Sequence, residues 1–190
     1  MPLHEKPRFV SRAGDKLDAA LDHFGLDVGG LVCADFGSNV GGFVDCLLQR
    51  GAARVYAVDT SYGTLAWKLR KDPRVVVRER SNAMHVTLPE RVSVVTIDVA
   101  WTRQRHVLPN ALAQLAVGGW ILTLVKPHYE APPGLLNDGV LPDDQVSDVV
   151  QKTLAAIAGA KLETVGTFIS PLRGQGGNRE VFALLRHTGG

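Results

Sequence analysis

The spacing of apolar positions along this chain changes period repeatedly, and each change marks an element. Ala13, Leu17, Ala20, Leu21 and Phe24 recur at intervals of three and four, the period of one helix face, with Ser11 placed to cap the start and Gly25 to end it. Beyond that helix, short continuous apolar runs of strand length alternate with helical patterns. The strand-like runs are 31–36, 54–59, 74–78, 92–99 and 120–125, and the helical patterns fall at 42–50, near 64–71 and near 107–116. Five strands joined by crossover connections predict a largely parallel, doubly wound α/β sheet with right-handed crossings. After a helix over 144–158, the runs 162–169 and 180–186 leave no room for a helix between them, so they pair as a long-looped antiparallel hairpin.

Five parallel strands plus a C-terminal antiparallel hairpin is the Rossmann-like architecture of the class I methyltransferases, whereas a full dinucleotide-binding fold continues with parallel strands. At 190 residues, 45% hydrophobic and 21% charged, the chain suits one well-buried domain spanning 1–190, without repeats or linkers. It has no apolar stretch of roughly 20 residues, and residues 1–9 are polar and basic, so the expected location is cytoplasmic. Cys33 and Cys46 sit inside apolar runs and are expected as small buried hydrophobes, not as a disulfide or a metal pair. A net charge of +2 does not by itself imply nucleic-acid binding, but Lys6, Arg8, Arg12 and Lys16 cluster early, and Arg70, Lys71, Arg74, Arg78 and Arg80 follow. For any one of them a solvated surface charge is as good a reading as an RNA track.

The first strand runs through Asp35-Phe-Gly-Ser-Asn-Val-Gly-Gly-Phe43 straight into a helix, which points backbone amides and the positive helix end at whatever lies there. Gly37, Gly41 and Gly42 suit either a close ligand or tight packing. The spacing is neither G-x-G-x-x-G nor a phosphate-binding Walker loop. Asp59 ends the second strand, where a carboxylate can accept hydrogen bonds from both ribose hydroxyls; the plainer alternative is a helix cap, since Thr60 and Ser61 follow. Asn82, after the third strand, is placed to read an adenine edge or simply to make a turn. The candidate ligand contacts are therefore Asp35, Gly37, Ser38, Asn39, Gly41, Gly42, Phe43, Asp59, Thr60 and Asn82, joined by Asp98.

Asp98 and Lys126 fall near the C-terminal ends of the fourth and fifth strands, the edge onto which the glycine loop opens. Because the last strand is antiparallel, Glu180 at its start reaches the same edge. An ion-pair network is one explanation of such a trio. Asp98 and Lys126, however, interrupt or end strongly apolar runs, where charge is costly without a purpose, and this favours chemistry.

The segments Ser11-Arg-Ala-Gly-Asp-Lys16, 35–43, Tyr62-Gly-Thr-Leu-Ala-Trp-Lys-Leu-Arg70, Leu124-Val-Lys-Pro-His-Tyr-Glu130 and 170–180 together resemble the FtsJ-like ribosomal RNA methyltransferases, in particular their TlyA, or haemolysin-A, branch. The resemblance covers nearly the whole chain. It implies S-adenosyl-L-methionine as methyl donor, ribose 2′-O-methylation of ribosomal RNA, and a Lys16-Asp98-Lys126-Glu180 catalytic tetrad. Lys126 would be the base or alkoxide stabiliser, Asp98 its orienting partner, and Lys16 and Glu180 the groups that position substrate. Lys16 enters only through this resemblance; its helix position alone reads as a solvated lysine. The chain departs from the branch at Val40, where the loop usually carries Thr, and at Ala100-Trp101, where Ser-Phe is typical. Members of the branch carry an N-terminal S4-type RNA-binding domain, and the chain starts close to its first helix, so the resemblance is to the branch without that domain.

With RNA or a ribosomal subunit as partner, Arg8, Arg12 and Arg173 are expected to meet phosphates. Two readings compete: a class I methyltransferase acting on a small molecule or protein, which needs neither Lys16 nor Glu180, and a catalytically silent RNA-binding protein. Membrane lysis, suggested by the haemolysin label, finds no spanning segment or basic amphipathic anchor. No histidine pair has metal-ligand spacing. Trp67 is expected in the core of its helix rather than as a base-stacking platform.

Overall fold

The computed structural model describes residues 7–157 and 161–189; Lys6 of the early basic cluster, and Ala158 at the expected end of a helix, lie outside them. In chain order the elements are α1 (Ala13–Phe24), β1 (Val32–Phe36), α2 (Gly42–Gln49), β2 (Arg54–Val58), α3 (Trp67–Arg70), β3 (Val75–Arg78), β4 (Val92–Ile97), α4 (Gln104–Gln114), β5 (Leu115–Val125), α5 (Pro127–Glu130), α6 (Val146–Ile157), β6 (Leu162–Ile169) and β7 (Val181–His187). The strands form one seven-stranded sheet in the order β3-β2-β1-β4-β5-β7-β6. The first five are parallel, and β7 runs antiparallel to both β5 and β6. This is the class I methyltransferase arrangement expected from the sequence.

Two apolar layers clothe the sheet. Leu17 and Leu21 of α1 and Phe43, Val44 and Leu47 of α2 share one layer with Val55, Val94 and Leu122 from the strands. Val107 and Leu108 of α4 and Val149, Val150 and Leu154 of α6 share the other with Phe36, Ile97 and Ile121. Residues 42–48 of α2 are buried all round, because the helix lies between the sheet and α1. Both cysteines are free and buried, and burial pushes the Cys33 thiol up to about 12, which leaves it an inert hydrophobe.

The chain builds outward from β1 to β3 and then returns to lay β4 on the other side of β1, so the strand order reverses between β1 and β4. In open α/β sheets ligands bind at such a switch point. Here the crossing is tight: a Cβ on Gly37, whose φ is +91°, would stand 2.3 Å from the Asp98 carbonyl oxygen, so only glycine lets the loop after β1 pass the end of β4.

The structure corrects several local expectations. Arg12, not Ser11, occupies the first cap position of α1, in helical backbone geometry and with no capping side chain; Gly25 does end the helix, at φ +60°. The pattern near 64–71 yields a single helical turn, and no helix stands between β3 and β4. The expected 107–116 helix begins at Gln104, and its last residues belong to β5, because Leu115 already pairs with Val92 ahead of a bulge. Trp67 is 68% exposed while Leu65 and Leu69 are buried, since residues two apart on a helix point to nearly opposite faces.

Candidate functional site

Two cavities adjoin at the switch point. The larger, about 430 Å³, is lined by Gly37, Asn39, Asp59, Thr60, Asn82 and Asp98, among others. Its shape rests on Asp59, whose Oδ2 accepts the Asn39 amide at 2.8 Å and whose Oδ1 accepts the Ser61 amide at 2.8 Å. One carboxylate thus ties the loop after β1 to the loop after β2. Each oxygen retains a lone pair for a further donor. The Gly37 and Ser38 amides are spent on the Val58 carbonyl, at 2.8 and 3.0 Å, which fixes the same two loops together. Asn82 uses its Oδ1 on the Met84 amide, an Asx turn, and keeps its side-chain amide at the cleft.

The smaller cavity, about 140 Å³, lies among Ser11, Ala13, Asp35, Ser38, Phe43, Asp98 and Lys126. Gly37, Asn39, Asp98 and Ala100 line both spaces, so Asp98 stands where they meet. Asp35 is 1% exposed; its Oδ1 accepts the Thr96 hydroxyl at 2.7 Å, and its Oδ2 has no partner among the described residues. Burial pushes this carboxyl up to about 8, against the Thr96 hydrogen bond and with help from the nearby Asp98 and Asp59 carboxylates. Gly42 lines this cavity but is glycine for a packing reason. A Cβ there would meet the Ser11 hydroxyl at 2.2 Å and the Gly14 amide at 2.9 Å, so its absence lets the start of α1 sit against the start of α2. Gly41 lines neither cavity; a Cβ would strike Leu69 and Leu65, and the lack of one seats α3 over the loop.

The four expected catalytic residues form two ion pairs. Lys126 Nζ lies 2.7 Å from Asp98 Oδ1, off the direction of a good hydrogen bond, so the contact is chiefly electrostatic. Lys16 Nζ lies 2.5 Å from Glu180 Oε2, with side chains 12% and 5% exposed. α1 carries Lys16 to this edge because its first turn packs on α2. Glu180 immediately precedes β7 and is covered by the 170–180 loop, where a Cβ on Gly174 would approach its Oε1 to 2.6 Å. Lys16 and Glu180 line neither cavity. Nearby His128 is lowered by burial and by the Lys126 charge.

Of the expected phosphate contacts, Arg8 is paired with Asp18, and Arg173 with Asp143 at 2.6 Å; Arg12 is exposed and in no ion pair among the described residues. Arg173 and Arg179 together hold Asp143 down to about 2. Ser11 and Ala13 on the small cavity, and Ser81, Met84, Trp101 and Thr102 on the large one, are not among the site contacts expected from the sequence. Trp101 carried a usable sequence signal, an aromatic three residues beyond the strand-end Asp98; the structure places it in a loop at φ +60° and 86% exposed. Among the described residues no cluster of three or more His, Cys, Asp or Glu could hold a metal ion, and no helix is long and apolar enough to cross a membrane.

Comparison with known proteins gives the family and the fold. The model of the FtsJ-like methyltransferase family matches residues 9–187. The 16S/23S rRNA (cytidine-2′-O)-methyltransferase TlyA of Mycobacterium tuberculosis is 42% identical over 187 residues, which cover 94% of this chain and 68% of that protein. A solved hemolysin-type structure from Streptococcus thermophilus superposes with a TM-score of 0.92 at 35% identity, over 97% of this chain and 69% of that one. The N-methyltransferase NodS of Bradyrhizobium japonicum, solved in complex with S-adenosyl-L-homocysteine, shares the fold at a TM-score of 0.64 and 13% identity, over 98% of this chain and 91% of that one.

Proposed function

This chain belongs to the FtsJ-like methyltransferase family, and from that premise we propose that it transfers the methyl group of S-adenosylmethionine to a ribose 2′-hydroxyl of ribosomal RNA. One observation carries the reading: Asp98 stands at the junction of a nucleoside-sized cleft and a small polar cavity, with its partner Lys126 on the small side only. The residues suit the donor. Asp59 offers two oxygens to a ribose diol, Asn82 an amide to a base edge, and the Asp35 carboxyl, on giving up its proton, an unpartnered Oδ2 as acceptor to an ammonium group. Held there, S-adenosylmethionine supplies a methyl group on a sulfonium, which is already a good leaving group.

The chain's own work is then alignment and proton handling. Lys126, fixed by Asp98, meets the acceptor hydroxyl, either taking its proton or stabilising the alkoxide as it develops. Lys16 and Glu180, locked to each other beside this edge, position the acceptor ribose. Arg8, Arg12 and Arg173 meet the phosphates. The side chains of Arg8 and Arg173 are 56% and 46% exposed, which leaves their guanidinium groups open to a polyanion beside their carboxylate partners. The 190 residues act as one catalytic domain, and a ribosomal RNA substrate places that domain in the cytoplasm. The test is to incubate the protein, labelled S-adenosylmethionine and ribosomal RNA or subunits from cells lacking the gene, and to map the label. Label on a ribose 2′-oxygen is expected. Label on a base or a protein, or no transfer to any ribosomal substrate, would overturn the proposal.

A further inference from the structure

Among the described residues the exposed large aromatic side chains are Tyr62, Trp67 and Trp101, and all three stand on segments that follow the C-terminal ends of β2 and β4, the edge that holds the site. Trp101 borders the larger cavity. Trp67 borders neither, so the donor and the tetrad leave its 68% exposed indole unexplained. An isolated exposed tryptophan needs no explanation. This one is not isolated. Lys71 Nζ lies 4.9 Å from its ring centroid, and the Arg80 guanidinium lies 4.3 Å from the Tyr62 ring, so each aromatic carries a cation and the two couples flank the 60–71 segment. Neither Lys71 nor Arg80 forms an ion pair among the described residues.

The turn that carries Trp67 is also held rigidly. The Ala66 amide donates to the Val40 carbonyl at 3.0 Å, Leu65 and Leu69 are buried, and Lys68 pairs with Asp45 at 2.8 Å. Asp45 accepts the Val10 amide at 2.9 Å as well, which binds the Trp67 turn to the segment carrying the unpaired Arg12 and the cavity residue Ser11. The Trp67 surface is therefore continuous with the acceptor side of the site, and its nearby acidic group is already engaged.

We propose that Trp67 and Lys71 form a stacking station for a single-stranded nucleotide that flanks the target in the RNA substrate. The base lies on the indole, while Lys71 and Arg12 meet the adjoining phosphates. This rests on the reading that the substrate is RNA. Charge complementarity selects a polyanion over an apolar protein surface: Lys71, which has no carboxylate partner among the described residues, lies over the indole, Arg80 stands in the same way over Tyr62, and every base offers a π-face to the tryptophan.

The experiment titrates fluorescein-labelled oligocytidine single strands and deproteinised ribosomal RNA into the full chain, with S-adenosylmethionine binding followed in parallel by calorimetry. Loss of one stacked base corresponds to roughly 5- to 150-fold weaker RNA binding in Trp67→Ala. Trp67→Tyr should keep most of the affinity, and Lys71→Gln should flatten the slope of log K against log salt by about 0.7. Cofactor affinity should not change in any of the three. Wild-type RNA affinity in Trp67→Ala would overturn this proposal and leave the methyltransferase reading standing. Loss of cofactor binding in Trp67→Ala would also overturn it, by revealing a structural role, and failure of the wild type to bind either RNA would overturn both.

Discussion

Replacing Asp35 with asparagine should stabilise the protein, and by more at each step from about pH 5 to about pH 8. The carboxyl is 1% exposed, one oxygen accepts the Thr96 hydroxyl, the other has no partner, and Asp98 and Asp59 add negative charge nearby. Its value rises from 3.8 to about 8 on folding, so between those limits the folded protein holds a proton that the unfolded chain has released. With more protons bound in the folded state, stability falls as pH rises, by about 1.4 kcal/mol per pH unit for one proton. The fall begins near pH 4 and ends near pH 8. By pH 7 it amounts to about 4 kcal/mol, a large part of the 5–15 kcal/mol typical of a domain. Asparagine still accepts the Thr96 hydroxyl and cannot ionise, so it removes this slope. Urea unfolding of both proteins at pH 5, 6, 7 and 8 measures the difference directly, because every other ionisable group is common to both. A stability difference that stays flat across that range would mean that Asp35 is ionised in the folded state, and the reasoning from burial and the orphaned oxygen would fail.

Other substitutions probe the rest of the site. Lys126→Ala should lower methyl transfer by about 100- to 10,000-fold with cofactor affinity nearly unchanged; rescue by Lys126→Arg would point to charge stabilisation rather than proton transfer, since arginine does not release its proton. Asp59→Ala should weaken S-adenosylmethionine binding by about 1–3 kcal/mol in calorimetry, and undiminished affinity would remove Asp59 from the ribose. Lys16→Met leaves the buried Glu180 carboxylate without its partner and should cost about 3–5 kcal/mol in urea unfolding. The double variant Lys16→Met with Glu180→Leu should recover much of that, and a single variant as stable as the wild type would show that the pair is not desolvated.

Strand positions and the reversed hairpin were legible because burial on both faces writes continuous apolar runs into parallel strands, and because 162–169 and 180–186 leave no space for a crossover helix. Three members of the tetrad followed from the same logic: Asp98, Lys126 and Glu180 are charges at the ends of apolar strands whose direction could be read. Lys16 could not be found that way. Its helix pattern is that of a surface lysine, and it is drawn in only because Gly42 lets the start of α1 sit against the start of α2, a packing contact with no local signature. The glycine loop was ambiguous for the complementary reason. Gly37 and Gly42 both line the site and relieve clashes with protein atoms, so spacing alone could not separate ligand approach from packing. Trp67 was misplaced because an aromatic between two leucines suggests core, whereas alternate residues of a short helical turn face opposite sides.

The Lys16–Glu180 bond joins residues 164 positions apart. Closing a loop of that length costs roughly 4–5 kcal/mol of chain entropy, so the contact forms only after the intervening sheet has assembled. The donor side as proposed draws on Asp35, Asp59, Asn82 and Asp98, all from the first four strands and the turns that follow them. A molecule whose hairpin has not docked could therefore hold the methyl donor yet present no finished seat for the acceptor. The fold thus acts as its own inspector: competence to modify RNA is withheld until both ends of the sheet are in place, and binding of the donor alone is no certificate of a finished enzyme.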